Sequence, residues 1–213
     1  RGHDLELSGF AGIEAQVAAI ADDIAYNNHD VDDGLRAGLF TFKEARGLPL
    51  VGPALGEVEK RYPGAPAEVL IAEAVSALIG AMVGDVVRET GRRLADLAPK
   101  GVDDIRKAGR QTVDFSDPVR KELGGLRRFL HENMYRHYKV NRARSQAKRV
   151  VRALFDLFFS EPETLPPDWQ QRALASAPAG KARIVCDYIA GMTDRYAMRE
   201  HERLYGLSRG GLL

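Results

Sequence analysis

Residues 13 to 35 read IEAQVAAIADDIAYNNHDVDDGL, and their periodicity decides the fold. At about 100° per residue, Ile13, Val17, Ile20, Ile24, Val31 and Leu35 fall on one side of a helix, with Asp22, Tyr26, His29, Asp30 and Asp33 on the other. The first side belongs against a core. The second gathers carboxylates, an imidazole and a phenol, with no Lys or Arg among them to neutralise the acids.

Working outward, the helix is expected over about residues 12 to 38, with Glu14 complementing its positive end and Gly34 and Gly38 marking a fraying terminus. GLPLVGP at 47–53 reads as a breaker, followed by a short helix from Leu55 to Arg61. From Ala67 to Leu97 a long apolar stripe predicts a second major helix. Gly80, Gly84 and Gly91 on it suggest that another helix approaches there. Residues 98–118 read as a connection with one helical turn at Val102 to Ala108, and residues 119–159 as one or two helices rich in bases and aromatics. Asp168 is a suitable cap for a helix from Trp169, Ala177 to Gly180 reads as a break, and Lys181 to Leu204 reads as the last helix before a loose GLSRGGLL tail. No alternating run is long enough for a strand. The chain is expected to be all-α.

At 213 residues, 45% apolar and 29% charged, the composition is that of a globular protein with a sizeable core. A net charge of +1 favours no particular partner. The single cysteine, Cys186, excludes an internal disulfide and any multi-cysteine zinc site, which suits a reducing cytoplasm. No run of 18 or more uninterrupted apolar residues and no signal-peptide pattern is visible, so neither a membrane span nor export is expected.

Asp22, Tyr26 and Asp30 stand at i, i+4 and i+8, in a row along one helix face. Such a row can offer one carboxylate to a divalent cation and a phenol and a second carboxylate to hydroxyl groups. It can equally be a solvated acidic face. His29 and Asp30 are adjacent and point about 100° apart, so they cannot act together as a ligand pair.

The run ADDIAYNNHDVDDGLRAG at 21–38 resembles a motif of the HD-domain phosphohydrolases of the deoxyguanosine triphosphate triphosphohydrolase (dGTPase) type. VCDYIAGMTDRYA at 185–197 is similar to that family's C-terminal signature, as is YRH at 135–137, and the likeness runs through the chain in order. The resemblance implies an HD-type helical bundle. It also implies metal-assisted attack of water on the α-phosphorus of a deoxynucleoside triphosphate, releasing deoxynucleoside and inorganic triphosphate. On this resemblance Asp22 is the last of four ligands to a divalent metal such as Mg or Mn, with Asp23 turned to its flank. Tyr26 and Asp30 match sugar-contacting positions, and Arg136 and His137 lie nearest the substrate phosphates. The family's earlier His and His-Asp ligands have no match: the other histidines are His3, His131, His137 and His201, and the flanks of His3-Asp4 do not fit the metal motif. The resemblance therefore implies a C-terminal portion of a longer enzyme, inactive alone, whose partners include its N-terminal portion and further copies of itself.

Between Arg120 and Arg152, eleven bases face two acids, a local charge of +9, with Tyr135 and Tyr138 interleaved. A wall for nucleotide phosphates, a surface for single-stranded DNA or an effector nucleotide, and a plain solvated face all remain open. Tyr188, Ile189, Met192 and Tyr196 form a stripe better suited to packing than to ligand binding. Residues 1–97 are assigned to the HD core and 98–213 to a helical C-terminal region within one continuous fold. The alternative to an enzyme is a non-catalytic helical module that binds nucleic acid or a protein through the basic segment.

Overall fold

A computed structural model describes residues 8–206. His3-Asp4 and the residues after Gly206 in the tail lie outside the described residues. The described chain is all-α, with no strand among those residues. The helices are α1 (Ile13–Arg36), α2 (Phe42–Arg46), α3 (Val51–Arg61), α4 (Ala67–Leu97), α5 (Val102–Arg106), α6 (Asp117–Leu130), α7 (Tyr138–Ser160), α8 (Pro167–Leu174), α9 (Pro178–Ala190) and α10 (Asp194–Tyr205). A π-helical turn, His131–Tyr135, follows α6, and a 3₁₀ turn, Pro162–Thr164, follows α7. The chain divides into two compact units, one ending at His137 and the other beginning at Tyr138. Residues 98–137 thus fold with the α1 to α4 core.

In the first unit α4 packs on α1 and α3, and α6 packs on α1. Leu55, Leu78, Met82, Leu126 and Leu130 are almost fully buried there, each worth about 1.5–3 kcal/mol of transfer free energy. By length and composition alone α4 could cross a membrane, although Glu73, Ser76 and Asp85 interrupt its apolar run. In the fold its Ile71, Ala74, Leu78, Met82 and Val86 are core residues.

The α1 stripe is buried at Ile24, Val31 and Leu35, but Val17 is 49% exposed. Gly34 sits inside the helix, where a Cβ would run into the Phe40 ring, and that ring meets Phe129 edge-on with centroids 5.0 Å apart. Gly34 is therefore a packing residue and not part of a fraying end. The turn is made by Gly38, with φ of +59°. No helix covers the α4 glycines among the described residues: a Cβ on Gly80 or Gly91 would meet nothing within 4 Å, and one on Gly84 would meet only the Arg88 guanidinium of the same helix.

The connection before α6 is held from both sides by buried polar groups. Gln16 Oε1 accepts from the backbone N–H groups of Thr112 (2.8 Å) and Val113 (3.0 Å). Asp85 accepts from the backbone and the hydroxyl of Ser116, both at 2.8 Å. Arg93 donates to Glu89 (2.7 Å), to the Gln111 carbonyl (2.8 Å), to Asp114 (3.2 Å) and to the Phe115 carbonyl (3.3 Å). Asp114 also pairs with Arg120. Buried charge is tolerated here because nearly every donor and acceptor has a partner.

In the second unit α7, α8 and α9 close around Leu154, Phe158, Ala173 and Val185, and α10 packs on α7. The segment expected as one terminal helix is two. Helix α9 already begins at Pro178, so Ala177 to Gly180 is not a break, and the Thr193 hydroxyl caps α10 by accepting from Tyr196 N–H at 3.3 Å. Asp168 lies within the first turn of α8, whose capping position is Pro166.

Candidate functional site

The acidic face of α1 forms one side of a small cleft. Asp23, Tyr26, Asn27 and Asp30 from α1, Arg127 and Leu130 from α6, and Tyr135 from the π-helical turn enclose about 220 Å³. That is below the roughly 300–1,000 Å³ of pockets that enclose a whole ligand, so the cleft suits one part of a larger molecule. Its centre is a hydrogen-bonded trio: the Tyr135 hydroxyl bonds Asp30, and the Tyr26 and Tyr135 hydroxyl oxygens are 2.8 Å apart. Burial, and then the bonds to Asp30 and Tyr26, push the Tyr135 phenol up from its ordinary pKa. Like any phenol it is protonated at neutral pH, and its proton is available to the Asp30 carboxylate.

Along the cleft wall, Arg127 Nη2 stands 3.1 Å from Asp23 Oδ1 and its Nε donates to Asn27 Oδ1 at 3.3 Å. Asp23 thus has a cation, supplied by α6 and not by the helix itself. Asn27 also donates to the Asp23 carbonyl at 2.5 Å, so the amide is fixed between backbone and guanidinium.

The structure brings Tyr26 and Asp30 together, as their spacing suggests, and adds Tyr135, Arg127 and Asn27. Asp22 lies one turn away, exposed and without a hydrogen bond or ion pair among the described residues. His29 points from the other side of α1 into an apolar groove of about 550 Å³ between α1 and α4, lined also by Ile20, Ile24, Val83 and Val87. Arg136 and His137 close the π-helical turn through backbone bonds to His131 and Met134, at 3.1 and 3.0 Å, and do not line the cleft.

Of these additions, Tyr135 had a partial signal in the YRH motif. Arg127 and Asn27 had none, because their roles depend on the α1–α6 packing. The described residues contain no cluster of three His, Cys, Asp or Glu side chains able to hold a metal. Asp22 is a lone carboxylate, suited to being one ligand of a shared centre and insufficient to hold an ion itself.

Curated relatives match nearly the whole chain. A deoxyguanosinetriphosphate triphosphohydrolase-like protein of Caulobacter sp. (strain K31) is 50% identical over 96% of this chain and 52% of its own length. Proteins of the same name from Parvibaculum lavamentivorans and Cereibacter sphaeroides are 52% and 47% identical, over 96% and 95% of this chain and 52% and 54% of their own lengths. Over nearly its whole length the chain is similar to dGTPase-like phosphohydrolases. Residues 113–203 also match a phosphohydrolase-associated domain, which begins in the buried connection and ends within α10. The chain spans about half the length of the curated dGTPase-like relatives it matches.

Proposed function

We propose that this chain supplies one wall of the active site of a metal-dependent deoxynucleoside triphosphate triphosphohydrolase. In this reading Asp30, Tyr26 and Tyr135 hold the deoxyribose. Asp30 accepts from a sugar hydroxyl while the protonated Tyr135 phenol orients the carboxylate. Arg127, Arg136 and His137 supply positive charge or donors toward the triphosphate. Asp22 contributes one ligand to a divalent ion whose other ligands come from a further portion of polypeptide. When bound, that ion lowers the pKa of a water and polarises a phosphoryl oxygen.

The observation that carries this reading is the Tyr26–Tyr135–Asp30 trio at the mouth of a cleft of about 220 Å³. Two phenols and a carboxylate from distant parts of the chain converge where a hydroxylated group of sugar size fits. Two further features support it. Asp22 stands one turn from the trio on the same helix, exposed and with no side-chain partner among the described residues. The named relatives are about twice as long as this chain, leaving a comparable length of polypeptide to complete the centre.

The test is made in a chain extended to the relatives' full length. Asp30→Asn is expected to raise KM for dGTP about tenfold or more, as expected when a charged hydrogen bond to substrate is lost. Asp22→Asn is expected to abolish turnover while leaving thermal stability unchanged. Unchanged kinetics in both variants would overturn the assignment.

A further inference from the structure

The second unit carries a groove of about 930 Å³ between α7 and α9. Its floor is apolar: Val151 and Phe155 from α7, with Ile189 from α9 and Met192 just beyond it. Val151 is 49% exposed, a poor position for an aliphatic side chain that meets only water. One lip carries Arg144, Lys148 and Arg152, at i, i+4 and i+8 on α7, so the cations rise along the groove at steps of about 6 Å, and Asp156 at i+12 ends the row with one carboxylate. Lys148 and Arg152 form no ion pair or hydrogen bond in the described chain. The α9 wall offers Cys186, Ile189 and Ala190 and no cation.

We propose that this groove docks an amphipathic helix of a partner polypeptide, one with an apolar stripe flanked along a single edge by carboxylates at i, i+4 and i+8. The stripe fills the floor, and the acids meet the cation ladder at the same helical pitch. A bilayer would not enter a concave groove with charge on one lip. Nucleic acid would leave the aliphatic floor uncovered, since only Phe155 could stack on a base.

The probe is a synthetic, fluorescently labelled 18-residue peptide with Leu at helical spacing and Glu along one edge, titrated against the 213-residue chain. A scrambled peptide of the same composition serves as its comparison. Saturable binding of the patterned peptide alone is expected. It should weaken about tenfold in the Lys148→Glu/Arg152→Glu double variant and be unchanged in Arg149→Glu, which lies on the same helix outside the groove. Cys186, the only cysteine of the chain, reports position directly: bound peptide should slow its alkylation by iodoacetamide. Circular dichroism melts establish that each variant is folded. Equal binding of the scrambled peptide, or binding without protection of Cys186, would overturn the proposal. So would failure of the peptide beside Lys148- and Arg152-dependent binding of phosphatidylglycerol vesicles or single-stranded DNA.

Discussion

Two charged clusters of the first unit invite comparison. Around Arg93 the guanidinium and the Asp114 carboxylate are buried, and Arg93 is bonded to Glu89, Gln111, Asp114 and Phe115. Along α1, Asp22 is exposed without a partner, Tyr26 is 60% exposed, and Asp30 is only half-buried. The first cluster spends its bonding capacity within the protein and locks the connection before α6. The second keeps hydroxyl and carboxylate groups facing outward, at the mouth of a cleft. Charge alone therefore does not separate a structural network from a binding face. Burial and the completeness of hydrogen bonding do.

Substitutions should separate the two clusters sharply. The largest effect is expected at Arg93. Arg93→Ala strands the buried Asp114 with only Arg120 to neutralise it and leaves two carbonyls without their donor, so a loss of about 3–5 kcal/mol is expected in urea unfolding. A loss below about 1 kcal/mol would place this network with ordinary surface ion pairs.

A smaller, pH-dependent effect follows from Glu89. Hydrogen bonds from Arg92 and Arg93 hold its carboxyl down at about 2. Because the folded-state pKa lies below the ordinary 4.5, its contribution is complete above about pH 4.5 and is lost as the pH falls toward 2. Glu89→Gln should therefore flatten the decline in stability across that window, as read by thermal melts at successive pH values. The smallest effect is expected in the cleft: Tyr135→Phe removes a half-buried hydroxyl and should change stability by about 1 kcal/mol or less. A loss as large as that of Arg93→Ala would make the trio a structural element.

Much of this organisation is legible in the sequence. The α4 pattern runs from Ala67 to Leu97 both by periodicity and in the fold, because a long apolar stripe bounded by Pro66 and an αL residue at Ala98 leaves little ambiguity. The row Tyr26–Asp30 follows from helical spacing alone. The remainder depends on tertiary contacts. Tyr135 reaches α1 from a π-helical turn, a local departure from the 3.6-residue period that spacing arguments assume. Arg127 pairs with an acid 104 positions away in sequence. The connection at 98–118 contains Gly, Pro and Asp as a loop does, yet Gln16, Asp85 and Arg93 reach it from α1 and α4. The split of the final helix was signalled by Gly191-Met192-Thr193, but the continuous apolar stripe through Met192 and Tyr196 masked it.

The proposal that this chain forms one wall of a shared site is tested most directly by assaying the isolated 213-residue protein for inorganic triphosphate released from dGTP in the presence of Mg²⁺ or Mn²⁺. No release above the enzyme-free rate is expected, with turnover restored only when the chain is extended to the full length of its relatives. Sustained turnover by the isolated chain would contradict it.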